Sequence, residues 1–591
     1  MRTKPVNVVY RWETSCPEPI SLGYREMAEK IAGLLGQGTP VTVALDGMWG
    51  VGFPEVVGAL LKELGDPQSA VYYTTAALRS SAELAAVFEP YLTDNPVFGR
   101  VCDLDIAVYF DREKFQQLCD AAAQSKDSGA HTLIVVAGPG AMKAMAKGEV
   151  DFSFYLDLTR EEITRRQKGD LINLAEAGAD RPAAASASQK YKHAYYVEWP
   201  ILERYRREML PMVEWYVDAN CQTAPRLVKS SVLQEMIAAA SQRPFRCKPY
   251  FQPGVWGGQR LKEAAGLDDS FINSAWDFEI VAPENSILLG VEGGEAVEVP
   301  FSLVMAYSAQ SILGTQGERD FGEFFPVRIN YLDTMGGTNL SCQVHPHDAF
   351  IRQNFGEPFA QNESYYVVEA KPGSVVYLGL REDVPVEGFV EAIHHAEQSH
   401  TPFDISQYVN TFPSREGDYF LIPSGTVHCS GADNLVLEIS STPYWYTFKL
   451  YDYLRPDLTG KPRPINSKFG LEVLDTSKAT SWVKQHLIPE PRVMREEEGG
   501  REEEFGTTHL AFFGTRRLTV ADQLTNTPNG YFEILVLVKG EKVQVTLEKD
   551  PKFAWEMHYL ESLVIPAASG TYTITNEGPE PCQLVRVYIK R

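Results

Sequence analysis

The chain is 591 residues long, too long for one hydrophobic core, so two to four domains are expected. Its composition, 44% hydrophobic and 23% charged, is that of a soluble globular protein, and a net charge of -23 argues against nucleic acid and anionic membrane surfaces, which are bound by Lys and Arg displacing counterions. No run of about 18 apolar residues can span a bilayer, Met1-Arg-Thr-Lys-Pro-Val6 lacks the apolar core of a secretory signal, and the eight cysteines are scattered without a Cys-x-x-Cys, which predicts reduced thiols in a cytoplasmic protein.

In chain order, Val41-Thr-Val-Ala-Leu45 is a buried-strand run, Asp46-Gly-Met-Trp-Gly-Val-Gly52 a glycine-rich turn, and Pro54 to Leu64 a helical pattern. This is the layout of a P-loop, with Gly47 and Gly52 at the required interval. Phe53 and Pro54 stand where its phosphate-binding lysine and Mg2+-binding hydroxyl belong. His131 to Val136 and Phe152 to Asp157 are further strands. Arg165-Arg166 lies on a helical segment, and a long polar helix from about Gln189 to Arg207 follows an Ala/Ser-rich loop. The order resembles the uridine kinase and phosphoribulokinase group, whose lid carries paired arginines. On that resemblance residues 1–240 form a degenerate P-loop kinase-like α/β domain. Ser230 to Pro249 reads as a helix and linker.

From Tyr250 the texture changes to short alternating strands, aromatics and turn residues, the mark of a β-rich region. Gln343 and His345 are two apart, which on a strand places both side chains on one face. Glu363 opens the next alternating run, and His428 follows Leu421-Ile-Pro423 and a Ser424-Gly425 turn. An amide oxygen, two imidazoles and a carboxylate suit a borderline divalent cation such as zinc, one per chain. A helical interlude is expected around Val386–His400, with His394 and His395 at the surface. The charge run Glu497 to Glu504 reads as a flexible, solvated loop. From about Thr507 the theme repeats: Glu561 to Tyr572 echoes Asp418 to His428 with tyrosine near the ligand position, which predicts a second barrel without a metal.

Gly337, five residues, then Gln343-Val-His345, and Gly417, five residues, Pro423-Ser-Gly425, two residues, His428, resemble the two motifs of the cupin barrel. With Trp256-Gly-Gly258, Phe325-Pro326 through Leu332-Asp333, and Leu450-Tyr-Asp-Tyr453 followed by Arg455 and Gly460-Lys461, residues 247–591 resemble the class I mannose-6-phosphate isomerases. The resemblance implies Gln343, His345, Glu363 and His428 as zinc ligands. It implies a multidomain protein with a mainly β double-cupin region: residues 245–500 a metal-binding cupin domain with a helical insertion, and residues 501–591 the second barrel. Three family basic positions differ. A lysine before the ligand glutamate is Gln361, an arginine ahead of the Leu-Tyr-Asp-Tyr segment is Lys449, and a lysine before the Leu-Asp aspartate is Asn330, with Arg328 two positions earlier.

An aldose–ketose isomerase of a sugar phosphate moves a proton between adjacent carbons while negative charge develops on oxygen. Lys449 is the candidate cation for that charge, Glu438 the candidate base and Arg328 a candidate phosphate contact. The changed basic positions leave three readings open: a different sugar, slow turnover, or a barrel that only binds and acts as a sugar-phosphate sensor coupled to the kinase-like domain.

Overall fold

The computed structural model describes residues 9–12, 20–35, 39–145, 150–178, 185–291, 294–441, 443–458, 460, 461, 463 and 465–590. Met1 to Val6, read above for a leader, and most of the Ala/Ser-rich loop lie outside them. The chain divides into two compact units: Val9–Ala239 with Ser286–Tyr307, and Ala240–Asn285 with Ser308–Arg591. Among the described residues no helix is long and apolar enough to cross a membrane.

The first unit is built on a seven-stranded sheet in the order Ile20–Leu22, Arg226–Lys229, Trp215–Asp218, Phe152–Asp157, Val41–Gly47, Leu133–Ala137 and Ser69–Tyr73. The last five run parallel. Val41–Gly47 is buried along its whole length, which is why it reads as an unbroken apolar run rather than an alternating one. Gly47 is required there, because a Cβ would sit 2.0 Å from the Leu156 carbonyl oxygen. The helix expected near Gln189–Arg207 spans Ala187–His193 to Trp199–Met209, but Tyr195, Tyr196, Trp199 and Tyr205 are buried, so packing of aromatics, not polarity, governs it. Ser286–Tyr307 belongs to this unit rather than to the β-rich one that flanks it in sequence. Its strand Ser286–Val291 pairs in parallel with Val9–Trp12 and antiparallel with Ala296–Pro300.

The second unit holds two antiparallel sheets that face each other. One runs Tyr419–Ile422, Asn362–Ala370, Asn434–Ser441, Arg328–Asp333, Trp276–Ile280, Tyr250–Gln252; the other runs Val409–Pro413, Val375–Leu380, His428–Ser430, Cys342–Val344, Phe448–Tyr451. Together they make a cupin-like sandwich with its core between them. The interlude is the helix Val386–Ser399, and His394 and His395 are exposed on it. A second pair of antiparallel sheets follows, of six and four strands, between Arg492 and Ile589.

One expectation is corrected here. The charge run is not a loop: Arg492–Glu497 and Gly500–Glu504 are paired strands. Its glutamates face cations on the next strand and beyond, Glu503 meeting Arg517 at 2.8 Å and Glu502 meeting Arg516 at 3.0 Å and Arg586 at 2.6 Å. Partly buried, cross-strand ion pairs with the next strand order a segment that looked solvated in isolation.

Candidate metal centre

Gln343 stands on the strand Cys342–Val344 and His345 directly after it, where Pro346 ends the ladder by lacking an N–H. Gln343 is directly opposite His428 on one side and Lys449 on the other, so Lys449, Gln343 and His428 form a row across one sheet. From the facing sheet comes Glu363, paired across its strand with Ile422 and Ser440. The turn before His428 is fastened to the other ligands' strands: Gly425 N–H donates to the His345 carbonyl at 2.7 Å and Ser424 N–H to Asn362 Oδ1 at 2.9 Å. Gly425 has φ 82°, a conformation that any Cβ would strain. Lys478 Nζ donates to the Ser424 carbonyl from behind, a brace with no signature in the sequence.

His345, Glu363 and His428 are 1%, 1% and 0% exposed. His345 Nε2 lies 3.2 Å from Glu363 Oε2, and His428 Nε2 lies 2.9 Å from Glu363 Oε1. Each imidazole turns its Nδ1 to a backbone carbonyl, His345 to Tyr446 at 3.2 Å and His428 to Thr426 at 2.9 Å. A carbonyl only accepts, so Nδ1 carries the proton and each Nε2 lone pair points inward. Two lone pairs and a carboxylate then converge with no proton between them, an arrangement that repels itself unless a cation sits at the centre. His345 Nε2 and Glu363 Oε1 are buried without a hydrogen-bond partner among the described residues, and the three donor atoms lie within 4.8 Å of one another. The Gln343 amide lies beside them, Nε2 at 3.3 Å from His428 Nε2, and a half-turn of the amide presents its oxygen instead. The residues fit a divalent cation.

Burial raises the Glu363 carboxyl, and positive charge close to it, on His345 and His428 once protonated or on a cation in place of those protons, holds it well below the usual carboxylate range. Glu438 behaves oppositely: burial first, then the charge of Glu363, push its carboxyl well up. It accepts from Asn330 Nδ2 at 3.3 Å, and its Oε1 has no hydrogen-bond partner among the described residues. Gln361, seen in the sequence only as a departure from a family lysine, donates Nε2 to Glu363 Oε2 at 2.8 Å. Its i to i+2 spacing from Glu363 was the available signal for that contact. Lys449 Nζ has no hydrogen-bond or ion-pair partner among the described residues. Burial, then Arg463, bring its pKa down to about 8, against the opposing pull of Asp452. Arg328 is fully buried on the strand beside Asn434–Ser441. Its guanidinium lies 3.5 Å from Glu284, donates to the Pro443 carbonyl and stacks 5.0 Å from the Trp445 ring, so it is already engaged by protein groups.

The glycine-rich turn of the first unit presents a different picture. Arg166 Nη1 donates to the Gly50 carbonyl at 2.7 Å and Nη2 to the Ala219 carbonyl at 3.1 Å, while Arg165 stays exposed on Glu162. Gly52 has φ 79°, and the Glu55 carboxylate lies 3.0 Å from where its Cβ would be, a negative charge over the helix N-terminus. Asp46 is fully buried and accepts from Gly47, Gly140 and Met142 N–H and from Tyr205 Oη, and burial pushes its pKa up to about 6. These groups are satisfied by the protein itself. Millimolar Mg·ATP is expected to leave the thermal unfolding of the chain unchanged, whereas a ligand at a hundred times its Kd would add about 2.7 kcal/mol. A rise of several degrees would contradict the degenerate-loop reading.

This is a cupin-like sandwich carrying a His/Glu/His cluster, preceded by a parallel α/β unit. Residues 23–242 match a family described only as a domain of unknown function (DUF8485). The chain is 27% identical over 224 residues to the mannose-6-phosphate isomerase of Streptococcus mutans, 38% of this chain and 65% of that protein, so it spans just under two thirds of that relative. It is 23% identical over 343 residues to mannose-6-phosphate isomerase ManA of Bacillus subtilis, 57% of this chain and 97% of that protein. Among solved structures, the mannose 6-phosphate isomerase from Bacillus subtilis aligns with a TM-score of 0.48 at 20% identity, covering 59% of this chain and 100% of that one. The chain is thus homologous to mannose-6-phosphate isomerases over part of its length.

Proposed function

We propose that the β-rich unit is a metal-dependent aldose–ketose isomerase of sugar phosphates, of the mannose-6-phosphate to fructose-6-phosphate type. In this reading Gln343, His345, Glu363 and His428 hold one zinc or similar divalent ion per chain. The observation that carries it is the convergence of two inward Nε2 lone pairs on one carboxylate from the facing sheet. The named activity of the relatives supports the same substrate class. A bound divalent ion supplies Lewis-acid stabilisation to an oxygen that gains negative charge.

The chain's own residues supply the rest. The surroundings divide the two carboxyls: Glu363 is held low, whereas burial and the charge of Glu363 raise Glu438, whose unpartnered Oε1 is the atom placed to carry and pass a proton. Lys449, in the row of Gln343 and His428, presents an ammonium to the developing charge. Arg328 contributes positive potential from the wall while its fork remains on Glu284, Pro443 and Trp445, which weakens it as a direct phosphate grip.

The test is conversion of mannose 6-phosphate to fructose 6-phosphate by the zinc-loaded chain across pH. Lys449 is charged below its pKa of about 8, so kcat/KM is expected to fall as pH rises through that value. Lys449→Arg should move the fall upward, and Lys449→Ala should lower kcat by about 10²–10³ and abolish it. An alkaline fall that persists in Lys449→Ala removes Lys449 from the chemistry. One observation favours a second reading, a sensing barrel: Gln361 commits its amide nitrogen to Glu363 and delivers no cation. Tight binding of hexose phosphates with no turnover on any of them would select that reading.

A further inference from the structure

The turn that delivers His428 to the candidate metal centre is gripped on two sides. On one side its amides are used: Ser424 N–H donates to Asn362 Oδ1 at 2.9 Å and Gly425 N–H to the His345 carbonyl at 2.7 Å. On the other its carbonyls are used: Asp475 N–H donates to the Gly425 carbonyl at 2.9 Å, and Lys478 Nζ donates to the Ser424 carbonyl. Thr426, the next residue, gives its carbonyl to His428 Nδ1 at 2.9 Å and its hydroxyl to the Pro423 carbonyl at 2.6 Å. The direction in which the imidazole faces Glu363 therefore depends on the Thr426 peptide, and the Thr426 peptide on the bonds that hold Ser424 and Gly425.

The second grip comes from one stretch of chain, residues 466–479, which also supports the rest of the row. Asn466 N–H donates to the Lys449 carbonyl at 3.0 Å, and Leu380 N–H, beside the strand of His428, donates to the Lys478 carbonyl at 3.1 Å. The helix Ser467–Val473 lies so close to the strand Phe448–Tyr451 that a Cβ on Gly470 would sit 2.6 Å from the Leu450 side chain. These bonds run between backbone groups and do not depend on side-chain identity. Lys478 differs, since its contact is made by an ammonium whose side chain is only 7% exposed, 3.5 Å from Asp475 Oδ2 and 5.9 Å from the centre of the Trp482 ring. Holding an ammonium away from water is costly, and the structure sets against that cost a charge-assisted hydrogen bond to a buried carbonyl.

We propose that Lys478 is a positioning residue of the metal centre: by holding the Ser424 carbonyl it fixes the turn that orients His428, and so sets the affinity and the coordination geometry with which a divalent ion is held. The proposal rests on the metal reading given above. Without the ammonium the Ser424 carbonyl loses its donor, and Gly425 is free to leave its left-handed conformation at φ 82°. The Thr426 carbonyl turns with it, and His428 Nε2 moves from its place 2.9 Å from Glu363 Oε1. Groups that orient a ligand without touching the ion are typically worth about 10–100-fold in metal affinity.

The test is titration of the metal-free full chain with Co2+, read as the visible absorption of the bound ion and as a Kd from competition with a chromophoric chelator. The unaltered chain is expected to take up about one ion. Lys478→Met, which keeps the apolar stem and removes the donor, should raise the Kd about 10–100-fold and change the visible spectrum. Lys478→Gln, too short to reach the carbonyl, should do the same, so a folding failure in one variant leaves the other to decide. Arg246→Met, which weakens the same unit without touching the turn, should leave Kd and spectrum unchanged, separating positioning from stability. Unaltered Kd and spectrum in the Lys478 variants, or an equal change in Arg246→Met, would overturn the proposal and leave the metal reading standing. An unaltered chain that takes up no Co2+ would overturn both.

Discussion

Replacing His428 with alanine is expected to take co-purifying divalent metal from about one ion per chain to below about a tenth, and to reduce isomerase turnover by at least about a thousandfold. His428 is not an interchangeable donor. Its Nδ1 is fixed on the Thr426 carbonyl, its Nε2 faces Glu363 Oε1 at 2.9 Å, and its backbone pairs with Gln343. Truncation removes one lone pair and leaves the buried carboxylate facing one imidazole, His345, beside the Gln361 amide, so the remaining donors lose both number and orientation. Metal content by elemental analysis, together with the rise in unfolding temperature on adding zinc, measures the effect. A variant that keeps a full equivalent of metal, or shows an undiminished zinc-dependent rise, would show that the ion is held elsewhere.

The largest effect on stability is expected at Arg246, far from any reacting atom. Its guanidinium is fully buried between two carboxylates, 2.8 Å from Glu279 and in closer contact with Glu561. Glu279 Oε2 also accepts Ser562 N–H at 2.7 Å and its hydroxyl at 2.6 Å, and Glu561 accepts His558 N–H at 2.7 Å. The triad therefore ties the segment at 246 and the strand Trp276–Ile280 to the strand Ser562–Ile565 of the second pair of sheets. Arg246→Met leaves two carboxylates buried near one another without their cation, and should destabilise this unit by about 3–5 kcal/mol. Changing all three residues to apolar ones of similar volume should recover most of that loss, because no uncompensated charge then remains. The quantity is read in the unfolding transition that zinc shifts, since two units need not melt together. A loss of under about 1 kcal/mol in Arg246→Met would mean that the carboxylates find other partners or protons at little cost.

What could be read before folding follows from what is local. The spacing Gln343-Val-His345 puts two donors on one strand face, and the Pro423-Ser-Gly-Thr-Val-His428 turn sets a third at a strand start, because strand period and turn chemistry are properties of a few consecutive residues. The unbroken run at Val41 likewise announces a strand covered on both sides. Glu497 to Glu504 could not be read, since its order depends on Arg516, Arg517 and Arg586 from other strands. Nor could the fate of Arg328, whose partners Glu284, Pro443 and Trp445 come from elsewhere in the chain.

By itself, then, the amino-acid order determined the α/β character of the first part and the β-rich character of the second, and it brought forward Gln343, His345, Glu363 and His428 as candidate ligands. Only the tertiary structure decided that Lys449, Gln343 and His428 share a row, that Gln361 leans on Glu363, that Ser286–Tyr307 joins the first unit, and that the proton affinities of Glu363 and Glu438 are pushed in opposite directions. The reason is that register between strands, and the burial that shifts a carboxyl's proton affinity, are set by residues far apart in the chain that meet only when it folds.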